Sequence, residues 1–429
     1  MSHSRREDMA PAGASNLSTS SPSPSSFSSP APKILLAKPG LIPGVPSAPK
    51  FILGGGGGRE DDSASIRSRL PPIGSLNLLS DSCDFHFDRF LTLLSENNTD
   101  FTVVGVIGPP GAGKSTIMNE IYGFDPTTSG MLPPFAIRSE ETRVNARHCT
   151  IGIEPRVTSE RIILLDTQPV LSASILAEMT RPDGSSTVSV LSGENLSAEL
   201  ALEVMGIQIG VFLASVCHII IVVSEGIHDS NMWHLMSTVD MLKHNIPDPS
   251  SLTVSIMQSS TLGTEKESKD KYQAVGEEYI AAPVFVHTKL HDGDLSLQNF
   301  NRVGKALARY FNSSSFVKTE SKSTTAAEYA SPSATNNGSC RSSSSSMPPV
   351  HLIPCRSKDG TSRACYECCD LALTRLRDQV LSMRHPKFSR SVTEREWLKN
   401  ATRIWELVKN SPIIAEYCKM LQNSGLFRR

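Results

Sequence analysis

The run Gly108-Pro109-Pro110-Gly111-Ala112-Gly113-Lys114-Ser115 stands between an apolar, strand-like segment at 101–107 and a segment at 116–122 that reads as the start of an amphipathic helix. Strand, glycine-rich turn, Lys-Ser and helix in that order make a phosphate-binding loop, and they commit the chain to an α/β fold at this point. A polyphosphate presents many acceptors along a short curved path. Gly108, Gly111 and Gly113 let the backbone follow that path without Cβ clashes and aim N–H groups inward, and the helix that follows adds its positive N-terminal end. Lys114 would reach the β- and γ-phosphates as a point charge, and the Ser115 hydroxyl would complete the coordination of Mg2+. Gly108, Pro109, Pro110, Gly111, Ala112, Gly113, Lys114, Ser115 and Thr116 are therefore the candidate nucleotide contacts of the loop.

Charge narrows the partners. Lys plus Arg (42) nearly balance Asp plus Glu (43), so no global field favours a nucleic-acid backbone or an acidic membrane, and direct nucleic-acid binding is not expected. The amino end is followed by a Ser/Pro tract rather than an apolar core segment, which implies no secretory signal and a cytoplasmic or nuclear site. Nine cysteines in such a compartment are expected to be thiols. Cys355, Cys365, Cys368 and Cys369 lack a second well-spaced pair and a His partner, so no structural metal is expected there.

Composition divides the chain. Residues 1–70 are Ser/Pro/Gly-rich and read as disordered, with apolar islands at 34–36 and 51–53 that could dock on a partner. Residues 75–311 read as the main domain and 312–348 as a disordered Ser-rich insertion. Residues 349–385 complete the domain, and 392–423 form a C-terminal helical segment. Within the domain a helix is expected around Phe85, Phe87, Phe90, Leu91, Leu93 and Leu94, and an exposed, mobile stretch over 124–147. A hairpin over 149–157 and 162–165 ends in Asp166. The apolar run 206–223 is long enough to raise a membrane span, but Glu199, Glu203 and Gln208 leave one helix face apolar and 218–223 is β-branched, so helix then buried strand is expected. Helices at 230–242, 297–311 and 364–383 and strands at 283–287 and 350–354 complete a mostly parallel sheet flanked by helices, the P-loop NTPase, G-domain-like class. Thr393 and Glu396 form a capping box ahead of a stripe of Trp397, Ala401, Ile404, Trp405 and Val408, read as packing on this domain or on a partner.

A nucleotide switch needs an acid at the end of its third strand to face magnesium, a residue three places on whose N–H meets the γ-phosphate, and a side chain that orients water. Asp166 fits the first role. Pro169 has no amide hydrogen, and Val170 stands where a water-orienting Gln would be. Gln168 is a substitute, although in an extended segment it would point to the opposite side. For the metal-facing threonine, Thr150 is preferred over Thr142, so the metal set is Ser115, Asp166 and Thr150. Base recognition falls to Thr288 and Lys289 in Thr-Lys-Leu-His, where His291 replaces the carboxylate that would reject adenine. The cofactor is a purine nucleotide, GTP/GDP or ATP/ADP, with Mg2+, and the base stays open. No residue is assigned a catalytic role. An active GTPase or ATPase switch of the dynamin or septin kind is the alternative, while a small-molecule kinase lacks a basic lid and an acceptor site.

The segment before the loop, Leu164-Leu165-Asp166-Thr167-Gln168-Pro169-Val170-Leu171 with Ser172 to Leu176 after it, the run 216–223, and the tail 403–411 with 415–417 together resemble the family of the ninth factor of the SMG series in nonsense-mediated mRNA decay. The likeness covers about 75–310 and 349–422 and is absent over the N-terminal tract and the Ser-rich insertion. The resemblance implies a non-enzymatic, G-domain-like regulatory subunit that forms a heterodimer with the eighth SMG-series factor. It implies regulation of the phosphatidylinositol-kinase-like decay kinase, with nucleotide held in this subunit. The loop residues Gly108, Gly111, Gly113, Lys114 and Ser115 and the acid Asp166 match the family pattern, and so does Pro169.

Overall fold

The computed structural model describes residues 76–80, 83–125, 127, 132–137, 139–144, 147–180, 196–253, 279–316, 348–356 and 367–425. The expected tract 1–70 with its apolar islands lies outside the described residues, as do 317–347 of the expected insertion and Cys365.

The elements run α1 (Asp88–Leu91), β1 (Thr102–Ile107), α2 (Lys114–Tyr122), α3 (Glu140–Val144), β2 (Ile153–Val157), β3 (Ile162–Thr167), α4 (Ala173–Met179) and α5 (Ala198–Val216). They continue with β4 (Ile219–Glu225), α6 (Asn231–Leu242), β5 (Ala282–Leu290), α7 (Leu297–Tyr310), β6 (Val350–Pro354), α8 (Cys369–Ser382), α9 (Glu394–Lys409) and α10 (Pro412–Asn423). Six strands form one sheet in the order β2-β3-β1-β4-β5-β6. The pairs β3/β1, β1/β4, β4/β5 and β5/β6 are parallel, and β2 joins the edge antiparallel to β3. This is the mostly parallel α/β sheet the sequence predicts.

Strand alternation sorts the side chains into two layers. Val103, Ile107, Ile163, Leu165, Ile220, Val222 and Phe285 pack with residues of α5, α6, α7, α9 and α10. Val104, Val106, Leu164, Ile219, Ile221, Val223, Val284 and Val286 pack with α2 and α8. The strands are apolar on both faces because both faces are covered, which is why 162–165 and 219–223 read as unbroken apolar runs.

Helix α5 settles the run 206–223. Ser197 caps it by accepting from the Leu200 N–H, and every residue from Val204 to Val216 is buried. By length and composition it could cross a membrane, yet 83% of its most apolar window is buried inside the fold. Helix α9 packs against it. The capping box forms as expected, with Thr393 Oγ1 accepting from the Glu396 N–H and the Glu396 carboxylate accepting from the Thr393 N–H. Trp397 and Trp405 are wholly buried; their indole N–H groups donate to Val216 O and Cys83 O, both at 2.9 Å. The tryptophan stripe thus packs on this domain's own core, and Ser411 with Pro412 ends α9 and caps α10.

Two expectations need correction. The helix around Phe85–Leu94 shrinks to the single turn α1, because Leu79 forms bridges with both Phe85 and Ile153 and draws this segment to the sheet edge beside β2. The stretch 124–147 is not exposed throughout. Phe135 is fully buried, with its N–H donating to Asn119 Oδ1 and its carbonyl accepting from Asn119 Nδ2, both at 2.9 Å.

Candidate functional site

The run 108–115 links β1 to α2 as the sequence requires, so it lies at the carboxyl ends of the central parallel strands, where α/β sheets open a crevice. Gly113 is the N-cap of α2 at φ 92°, a left-handed conformation that glycine adopts without strain, and no side chain caps the helix. At Gly108 a Cβ would lie 2.6 Å from the Val223 carbonyl oxygen, so only glycine lets the loop cross β4 at this distance. Two residues near in space but not in sequence fix the loop's far side: Thr288 Oγ1 donates to Ala112 O at 2.9 Å, and the Val170 N–H donates to Gly108 O at 3.1 Å.

Beside the loop is a cavity of about 780 Å³, of a size that suits a small-molecule ligand. Its lining includes Pro110, Gly111, Gly113, Lys114, Ser115, Thr116, Thr150, Pro169 and Lys289. Of the other expected contacts, Gly108 and Pro109 hold Lys114 from behind, and Ala112 and Thr288 bond each other beneath the loop; Thr288 acts as a brace. Lys289 stands at the rim, half-exposed and ion-paired with Glu225 at 2.8 Å. His291 is exposed, and its N–H donates to Asp294.

Asp166 is the centre of the corner. It ends β3 fully buried, and its Oδ2 accepts from Ser115 Oγ at 2.7 Å and from Thr150 Oγ1 at 2.9 Å. Its Oδ1 is buried with no hydrogen-bond partner among the described residues. Burial pushes the Asp166 carboxyl above the usual carboxylate range, opposed by Lys114 and by the Ser115 and Thr150 hydroxyls. Lys114 donates to Gly108 O at 3.1 Å and Pro109 O at 3.2 Å, and burial lowers its pKa to about 8 against the attraction of Asp166. An orphaned carboxylate oxygen, two hydroxyls and a desolvated ammonium group fit a hard cation and a polyanion together. The three expected metal-facing residues meet here. Thr142 does not take Thr150's place, since its hydroxyl donates to Ser139 O at 2.8 Å.

The segment after Asp166 behaves as its residues require. Pro169 lines the cavity without an N–H to offer. Gln168 is turned away, its Oε1 accepting from the Gly152 N–H and its Nε2 directed at Met205 Sδ. Val170 is buried. Sequence reasoning missed Thr167, Ser172, Ser174 and His148, which also line the cavity. Ser172 and Ser174 lie within the quoted family segment, which is the signal that could have found them.

Fold and corner define an α/β protein with a polar cavity at the carboxyl ends of its parallel strands. Curated proteins described as nonsense-mediated mRNA decay factor SMG9 are similar to this chain. The Xenopus laevis protein is 29% identical over 85% of this chain and 71% of its own length. Those of Xenopus tropicalis and Salmo salar are 29% and 28% identical, each over 76% of this chain and 63% of its own length. The resemblance read from the sequence is thus borne out across vertebrate relatives. No family profile matches the chain. Among solved structures, a bacterial selenocysteine-specific elongation factor EF-Sec aligns over 50% of this chain and 24% of that chain at 12% identity and TM-score 0.23, a score that carries no argument.

Proposed function

We propose that this chain is a G-domain-like, nucleotide-binding regulatory subunit acting in nonsense-mediated mRNA decay, in a cytoplasmic or nuclear setting, and that it is not an enzyme. The relatives' shared description supports the process. The observation that carries the binding role is the Asp166 corner: a buried carboxylate with one unpartnered oxygen, two hydroxyls on the other, and Lys114 on the adjoining loop. Loop amides and the α2 terminus would hold the phosphates of a purine nucleotide, GTP/GDP or ATP/ADP. Ser115, Thr150 and Asp166 would hold Mg2+, which supplies charge neutralisation of the phosphate oxygens. The missing amide at Pro169 and the withdrawn Gln168 remove the backbone donor and the glutamine that a nucleotide switch uses on this segment, which supports a ligand that stabilises a surface rather than one that is turned over. The partners in this reading are the eighth SMG-series factor, as a heterodimer, and the phosphatidylinositol-kinase-like decay kinase.

The test begins with the nucleotide released on denaturing purified protein, followed by turnover assays alone and with the partner subunit. Stoichiometric purine nucleotide, no multiple turnover, and loss of the nucleotide in Lys114→Ala are expected. Multiple turnovers abolished by Lys114→Ala would instead establish the GTPase or ATPase switch of the dynamin or septin kind.

A further inference from the structure

Two segments flank the Asp166 corner: residues 147–150, which carry Thr150 into β2, and residues 167–174, which leave β3 through Pro169 and enter α4. A row of side chains joins them. His148 Nδ1 lies 3.1 Å from Ser174 Oγ, and Ser174 Oγ lies 2.8 Å from Ser172 Oγ. His148 and Ser174 are partly exposed on the cavity wall, and Ser172 lies fully buried behind Ser174. Ser172 is the N-cap residue of α4, a position where a serine hydroxyl ordinarily accepts from the helix backbone, yet here it makes no such bond. Its hydroxyl joins the row instead. A serine withdrawn from capping and aligned with a second serine and a histidine along a cavity wall is a polar surface built for something other than the helix.

The chemistry of that surface follows from what the residues just after Asp166 lack. Beyond the loop and the metal corner, a third phosphoryl group would bring further acceptor oxygens and charge, for which donors are needed. Pro169 offers no N–H, and Gln168 faces Gly152 and Met205. Hydroxyl hydrogens rotate, so Ser174 can redirect its donor to an anion without backbone movement while the buried Ser172 supports it, and the imidazole can support either polarity of the row. We propose that Ser174 and His148, with the buried Ser172 holding Ser174 from behind, form the subsite for the terminal phosphoryl group of a nucleoside triphosphate, reading it with side chains in place of the absent amide. The cavity then prefers triphosphate to diphosphate without cleaving it. This inference rests on the nucleotide-binding reading above and adds the residues that set phosphate number.

Calorimetry on nucleotide-stripped full-length protein with Mg2+ separates the two ideas. The probes are ADP, GDP and the imido analogues of ATP and GTP. Wild type is expected to bind the triphosphate analogue of its preferred base more tightly than the diphosphate. Ser174→Ala and His148→Ala are each expected to weaken the triphosphate analogue about tenfold, the scale of one hydrogen bond to a charged group, and to change diphosphate affinity less than about twofold. Lys114→Ala should abolish both. Equal losses for the two phosphate lengths in both variants, the signature of a merely structural clasp, would overturn the subsite, as would no loss at all. A wild-type protein that binds none of the four probes would overturn the nucleotide reading itself.

Discussion

Lys114 holds an ammonium group against two carbonyl oxygens in a buried corner, and its pKa falls from 10.5 to about 8, chiefly through desolvation, with Asp166 pulling the other way. Unfolding returns the amine to water and to 10.5. Between those values the unfolded chain carries one proton more than the folded one. The Lys114 contribution to stability is therefore constant below pH 8 and rises with pH from 8 to 10.5. That gap corresponds to roughly 3 kcal/mol, by which desolvation of this amine disfavours the neutral-pH fold. Urea denaturation of nucleotide-free wild type and Lys114→Met from pH 7.5 to about 10.5 measures this directly, because methionine keeps the apolar stem and removes the titration. The free-energy difference, wild type minus variant, should grow by roughly 3 kcal/mol across the window. A bound Mg2+–nucleotide complex should flatten that growth, since phosphate charge favours the ammonium form. Parallel stability curves for the two nucleotide-free proteins would refute the assignment of Lys114 as a desolvated charge awaiting an anion.

Three further outcomes test the frame around the site. Trp405→Ala should cost about 3–5 kcal/mol and Trp405→Phe about 1–3, the latter from losing the indole N–H bond to the Cys83 carbonyl; thermal and denaturant unfolding would read both. Thr393→Ala should lower stability by about 1 kcal/mol through loss of the capping box, with an unchanged circular dichroism spectrum in the folded state. Thr288→Val should leave the fold stable but weaken nucleotide binding about fivefold in calorimetry, because Ala112 loses the hydroxyl that braces the loop; unchanged affinity would show that the loop holds its shape without it.

Local signals explain what could be read without coordinates. The loop, its strand and its helix are contiguous, so residue types at fixed spacing suffice to define them. The same holds for the capping box at Thr393, for Asp166 at the end of a buried strand, and for the division of 198–225 into helix and strand. Where a segment's fate depends on a remote partner, periodicity misleads. The residues from Phe85 to Leu94 have helical spacing, but Leu79 and Ile153 recruit the first of them into bridges. Phe135 lies in a stretch with no periodic signal, and the Asn119 side-chain amide holds its backbone through a pair of hydrogen bonds.

The sequence by itself determined that a glycine-rich loop would join β1 to α2, that Asp166 and a threonine would face the same corner, and that Pro169 would withhold an amide. Those are properties of residue type and of neighbours along the chain. Only the tertiary structure decided which threonine reaches Asp166, that Thr288 supports the loop from beneath, and that His148, Ser174 and Ser172 align along one wall. The sheet order is the physical reason: setting β3 and β4 on either side of β1, with β5 next to β4, carries residues far apart in the chain to the same carboxyl edge. Hydrogen bonds of about 3 Å can then form between groups that no spacing rule connects.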